Sequence, residues 1–338
     1  MTYNTTDAYW DRVYSLIATT NNNTISISSK TSSNNQEGLQ FEFETRAYTL
    51  GSCKMAHIRI YNASLKTFNL IAGINNPDNA TQIVIVAGYI AQSGIIFSGQ
   101  IIQQKIGRLS DGVTSFVDIV ATDGDLVYSQ GFIGHTISKG SSAFNRLTTI
   151  SQQVGLTLSP DDFVVDTSTA LNVRAPRGRT FYGRAIDHLR NQSHAIGAHA
   201  MVDGNNVTVL GQYNSTNAPT LIINSKTGLI NAPVQTILGI GFDCLLNCRI
   251  IRGNKIQIDE ALIQPLEAPL QEGAGGVLDV ANIAFIPPIL QGNGIYKVLF
   301  VTHKGNNRGN DWYTNVMCVS NPTSLNNPQL AYLGPMQL

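Results

Sequence analysis

The chain has 338 residues, 43% of them hydrophobic, enough for two or three small domains with their own cores. Lys plus Arg and Asp plus Glu both number 22, so the formal net charge is zero, and charged residues are only 13% of the chain. That balance argues against a nucleic-acid-binding protein, which would carry a basic face, and favours self-association. Polarity comes instead from Asn, Gln, Ser and Thr, which suit large buried interfaces, where each unpaired charge is costly.

No apolar stretch reaches the roughly 18 residues that cross a bilayer. The N-terminus lacks a basic start followed by an apolar block, so the expectation is synthesis in the cytoplasm without stable membrane association.

In chain order, residues 7–18 can be read as an amphipathic helix with Trp10, Val13, Tyr14 and Ile17 on one side, or as a strand over 12–18. Clustered aromatic and β-branched residues favour the strand. An Asn21-Asn22-Asn23 turn leads to an alternating strand over 24–28, a polar loop over 30–37, and alternating strands over 39–44 and 56–62. A short helix is expected over 64–72.

Residues 81–125 read as an antiparallel meander. The run Ile83-Val84-Ile85-Val86 is broken at Ser93-Gly94, and a second strand over 95–105 ends in the polar turn 107–112. Val113, Val117, Ile119 and Ala121 then alternate with Thr114, Asp118 and Thr122 before Asp123-Gly124-Asp125 closes the unit.

The period then changes. Phe144, Leu147, Ile150 and Val154 recur at helical spacing behind Ser141-Ser142, a candidate cap, with Gly155 as the stop. A second helix is expected from about Thr180, with Tyr182, Ile186, Leu189, Ser193 and Ile196 on one face and Gly197 ending it. A hairpin over 198–210 turns at Asp203-Gly204-Asn205-Asn206. Strands return from Leu221, with Gly228-Leu229-Ile230, Pro233, Leu245-Leu246-Asn247, a strand over 250–259 that contains Gly253, and Gly294-Ile295-Tyr296-Lys297-Val298.

These phrases carry a resemblance. The meander with Gly94-Ile95-Ile96-Phe97-Ser98-Gly99, the strand ending Ile58-Arg59-Ile60-Tyr61-Asn62, the ordered Gly-Leu-Ile, Pro, Leu-Leu-Asn and Gly253 phrases, and the turn 305–310 before Asp311-Trp312-Tyr313-Thr314 are similar to phage baseplate hub proteins. The family often has Pro after that Asn, where this chain has Cys248. The resemblance covers most of residues 12–318.

It implies a mainly β chain with two small tail-tube-like β-barrels and a small α/β insert between them. The expected domains are 1–125 for the first barrel, 126–212 for the insert, 213–320 for the second barrel and 321–338 as an extension. Independently, Gly94-Ile95 and Gly294-Ile295 each open a strand followed by a turn containing Gly and Arg, the pattern of a duplicated barrel. Two similar barrels per chain in a homotrimer present six similar units around an axis, which suits mating a sixfold tube to a threefold spike.

Catalytic and metal constellations weigh less than their bland alternatives. Cys53, Cys244, Cys248 and Cys318 lack paired zinc-knuckle spacing. His188 and His194 lie six residues apart, on different faces of a helix, and His199 follows outside it. Asp161, Asp162 and Asp166 have no nucleophile motif or glycosidase-like frame nearby. The expectation is therefore no enzyme, no cofactor and no metal.

Arg174, Arg177, Arg179, Arg184 and Arg190 form the densest basic segment; the first four are interface candidates, with a nucleic-acid patch as the alternative. Gln100, Gln104, Thr114 and Asp118 are candidates for the lining of a channel, which should avoid Lys and Arg so that DNA slides.

The expected role is a structural baseplate hub of a tailed phage, located in the virion tail. Its expected partners are the tail tube, the spike and other baseplate proteins, with tape-measure protein and DNA only in transit. A tail-associated cell-wall hydrolase and the hub part of a type VI secretion spike are the alternatives.

Overall fold

The structure, a computed structural model, describes residues 11–20, 23–29, 38–48, 51–64, 81–165, 174–212, 214–236, 239–259, 262–264 and 294–320. The alternating segments become strands because one face of each is apolar. β1 (Arg12–Thr20) buries Tyr14, Leu16 and Ala18 and pairs with β2 (Asn23–Ser28). The strand reading of residues 12–18 holds. The expected helix over 64–72 falls outside the described residues beyond Ser64.

β3 (Phe41–Ala47), β4 (Lys54–Tyr61), β5 (Gln82–Tyr89), β6 (Gln92–Arg108) and β7 (Ser115–Thr122) complete the first half of the chain. The turn between β5 and β6 lies at Ile90-Ala91, just ahead of the expected break at Ser93-Gly94, which sits inside β6. β7 starts two residues after Val113, which is 83% exposed and takes no part in the strand. Asp111 explains that boundary. Its carboxylate accepts from the backbone N–H groups of Val113 and Thr114 and from the Thr114 hydroxyl, holding 111–114 as a turn.

The middle of the chain is mixed: α1 (Asp125–Gln130), β8 (Phe132–Ile137), α2 (Ala143–Gln153), β9 (Phe163–Val164), β10 (Arg179–Arg184), α3 (Ala185–His194), β11 (Ala198–Asp203) and β12 (Asn206–Gly211). Ser142 caps α2, its hydroxyl accepting from the Asn145 N–H, as its position suggested. The second helix starts at Ala185, not near Thr180. Thr180, Phe181 and Tyr182 instead pair with β8, and Gly183 has a φ of 131°, which no helix accepts. α1 and β8 had no distinct sequence signal.

The last part holds β13 (Leu221–Ile223), β14 (Val234–Thr236), β15 (Gly239–Leu245), β16 (Lys255–Ile258), β17 (Ile295–Asn306) and β18 (Trp312–Ser320). The strand expected over 250–259 is shorter, because residues 250–254 turn sharply before β16.

Among the described residues, thirteen strands form one sheet, in the order β14-β15-β18-β17-β3-β4-β7-β6-β5-β1-β2, with β16 pairing with β17 and β13 pairing with β16. The molecule is mainly β. β3 through β2 curl around one core that includes Leu16, Phe41, Ile58, Ile85, Phe97 and Ile119. Tyr14 of β1 meets Phe41 of β3 edge-on with ring centres 4.9 Å apart, bringing the two ends of that curl together. β13 to β18 surround a second core with Ile240, Phe242, Ile256, Val298 and Val316, and the mixed region has a third, with Leu147, Phe181, Leu189 and Val209.

The two curled halves share β17. Its start pairs with β16 and its end, Val301 to Asn306, pairs with β3. Gly305 sits at that seam because its neighbours Phe43 and Trp312 occupy the space a Cβ would need.

Candidate functional site

Following the cross-strand partners away from the cores reveals one continuous outer face seven strands wide. One row runs Asp243, Asn315, Thr302, Arg46, Met55, Thr122 and Gln100. The next runs Leu245, Tyr313, Lys304, Glu44, His57, Val120 and Gln103. A third runs Asn306, Glu42, Arg59, Asp118 and Lys105. The inner face of the same strands is mostly apolar, with Thr45, His303 and Thr314 as its buried polar members, so alternation does most of the sorting here. Crossing the β17–β3 seam makes both halves contribute to one surface.

Most of the charges on this face have a polar partner. Arg59 donates to both oxygens of Asp118, at 2.6 and 2.9 Å, and lies over the Phe116 ring. The Arg59 hydrogen bond holds the Asp118 carboxyl below its ordinary range. Glu44 takes Arg46 at 2.8 Å and Lys304 at 3.6 Å, and the Arg46 bond lowers its pKa as well. Asn315 donates to Asp243 at 2.6 Å and Asn306 to Glu42 at 2.8 Å. A shallow cleft of about 280 Å³ opens along the seam between Glu42, His57, Arg59, Lys304 and Asp311.

Of the channel candidates, Gln100 and Asp118 lie on this face. Gln104 does not. A bulge at Ile102 leaves Ile101 opposite Ala121 but Gln103 opposite Val120, so Gln104 stands opposite Ile119 on the core side. One inserted residue inverts the alternation, and no local pattern announces it. Thr114 belongs to the Asp111 turn. Around Asp118 the face is mixed: Arg46, Arg59, Lys105 and Lys304 share it and alternate with carboxylates.

A second cluster joins the three cores. Arg252, 1% exposed, donates to Asp203 at 3.1 Å and to the Ser52 carbonyl at 2.8 Å. Lys54 approaches Asp203 at 3.5 Å, and the N–H of Gly204 donates to both oxygens of Asp123. Burial, reinforced by the Asp203 charge, pushes Asp123 up to about 6. Arg190 and Tyr128 both donate to the Gly51 carbonyl nearby. Lys297, equally buried, donates to the carbonyls of Gly211 and Gln212, and burial lowers it to about 8. Sequence reasoning missed both cations; each stands inside an apolar run, Ile250-Ile251-Arg252 and Tyr296-Lys297-Val298, which is the signal available.

Arg174, Arg177, Arg179 and Arg184 are exposed together on and beside β10. Arg184 donates to the Tyr128 carbonyl at 2.8 Å and stands 3.9 Å from Asp187. His188 contacts the Tyr182 carbonyl, His194 meets the His199 ring at 5.2 Å, and the four thiols are free. Among the described residues no group of three His, Cys, Asp or Glu side chains could hold a metal, and no helix is long and apolar enough to cross a membrane.

Comparison with solved structures matches this arrangement. A tail protein from Neisseria meningitidis superposes with a TM-score of 0.50 at 8% identity, covering 91% of this chain and 96% of its own. The chain has the fold of a phage tail protein. The same fold occurs in the Escherichia coli c3393 protein, a component of the type VI secretion system with structural similarity to T4 bacteriophage tail proteins, at a TM-score of 0.50 and 10% identity over 86% of this chain and 76% of that one. It occurs again in the Francisella PdpA-VgrG complex, at 0.50 and 8% identity over 94% of this chain and 59% of the partner. No family model matches the sequence, and no curated protein matches it either.

Proposed function

We propose that the chain is a structural, non-enzymatic baseplate hub of a tailed phage. Three copies form a ring that adapts a sixfold tube to a threefold spike and encloses the passage for tape measure and DNA. The tail-protein fold supports the setting. The observation that carries the reading is the outer face continuous across β15, β18, β17, β3, β4, β7 and β6, with contributions from both curled halves.

Strands lie about 4.8 Å apart, so three such faces close a circumference of about 100 Å. Side chains projecting about 5 Å inward leave roughly 20 Å clear, wide enough for a double helix. Arg46, Arg59, Lys105 and Lys304 balance Glu42, Glu44, Asp118 and Asp243 on the three rows, which leaves little net field, so passing phosphates gain few contacts. In this reading the bore carries cations matched in number by carboxylates.

Light scattering at micromolar concentration, alone and with tube and spike proteins added, tests this; the expected mass is about three chains of 36.6 kDa. A dimer that persists with partners present overturns the ring. The similarity to the E. coli secretion component favours a second reading, the hub part of a type VI spike, which would assemble with the same threefold symmetry.

A further inference from the structure

We propose that the β8–β10 ribbon is a docking surface for an extended acidic segment of a partner protein. Among the described residues these two strands form a sheet of their own, neither having a second strand neighbour; on β10 the Tyr182 carbonyl is taken by the His188 ring, and the outer edge of β8 carries backbone N–H and C=O groups that can pair with an added strand. One side of the ribbon is committed to the core through Ile133, Ile137 and Phe181. The other side is open.

On that open side Phe132 and Tyr182 are 56% and 75% exposed and pack edge-on with ring centres 4.9 Å apart. Gly134 lies opposite Tyr182 and leaves its ring uncovered. Exposed aromatic pairs of this kind are typical anchors at interfaces.

Charge selects the occupant. Arg184 ends β10, and Arg174 and Arg177 lie in the loop that enters it. Arg179 begins β10 with its guanidinium 5.5 Å from the Phe181 ring centre. Asp187 is the one carboxylate within ion-pair distance of these four among the described residues, 3.9 Å from Arg184. Beneath them Arg146 is buried, held by the neutral oxygens of Gln192 and Ser141, and its pKa is lowered by burial and by Arg179. In a chain of zero net charge this is a local excess of positive charge beside an open strand edge and an aromatic anchor. An acidic peptide in extended form satisfies all three: carboxylates for the arginines, a backbone for the edge, and a side chain against the Phe132–Tyr182 pair. A single-stranded nucleic acid would use the arginines and the rings and leave the strand edge unpaired.

The probe is a decapeptide of alternating glutamate and threonine, with its glutamine–threonine counterpart and a single-stranded oligodeoxynucleotide as the other arms. Calorimetry gives affinities, and hydrogen exchange locates binding. The expected result is binding of the acidic peptide alone, with new protection over Phe132–Ile137 and Arg179–Arg184. Arg177→Glu combined with Arg179→Glu, and separately Tyr182→Ala, should each weaken it by about tenfold. All three positions are exposed, so the variants keep the fold. Equal binding of the neutral peptide, no binding of either, insensitivity to these substitutions, or tighter binding of the oligonucleotide overturns the proposal. The assay reads the chain whatever its oligomeric state, so failure here and failure of the ring are distinguishable.

Discussion

Arg252 and Asp203 meet at 3.1 Å where the second curled half, the mixed region and the first half come together. The guanidinium is almost fully buried, and its other strong contact is the Ser52 carbonyl, so one side chain ties residues from all three cores. Directional bonds to buried charge fix the relative orientation of these parts better than apolar contact does.

Replacing Arg252 by Ala removes those bonds and leaves a cavity, while Lys54 remains 3.5 Å from Asp203 as its counter-ion. The expected loss is about 3 kcal/mol, read from denaturant midpoints. A change too small to measure would mean that the junction holds together without Arg252.

Asp123 makes the same junction sensitive to pH. Its folded pKa of about 6 exceeds the ordinary 3.8, so the native state holds the extra proton between those values. Stability therefore falls as pH rises through that window and stays lower above it. Asp123→Asn keeps an acceptor for Gly204 and removes the charge; it should be more stable than the parent at pH 7, with the gap closing by about pH 4. Buried His303, pushed down to about 3 by burial, acts in the opposite sense, costing stability as pH falls below its ordinary 6.5. The difference between parent and variant is thus the quantity to measure, and a gap independent of pH would contradict the assignment.

At the seam, Gly305→Ala should cost about 1 to 3 kcal/mol, because the added methyl meets Phe43 and Trp312 in a packed core. Hydrogen exchange should then rise first along Val301–Asn306 and β3. Exchange that rises only at the remote β11–β12 hairpin would count against β17 as the strand that binds the halves.

Zymography against peptidoglycan should show no clearing by the purified chain. Asp161 and Asp162 sit in the turn that begins at Pro160, which buries neither side chain. Clearing that vanishes on Asp161→Asn or Asp162→Asn would return the hydrolase reading.

The sequence by itself determined what depends on near neighbours. Clustered aromatic and β-branched residues over 12–18 and alternation over 39–44 and through Val117, Ile119 and Ala121 specified strands, helical spacing behind Ser141-Ser142 specified α2, and Asp203-Gly204 specified a hairpin, because each signal lies within a few residues of its effect. Family-like phrases pointed to the mainly β tail fold. Only the tertiary structure decided which face each side chain occupies beyond Ile102, where one bulged residue sends Gln104 to the core side and leaves Gln100 and Asp118 outside. It also decided that Thr302 stands beside Arg46, about 250 residues away in the chain, and that Arg252 is buried against Asp203. Pairing between distant strands is set by the summed burial of whole faces, and no window of local sequence contains that sum.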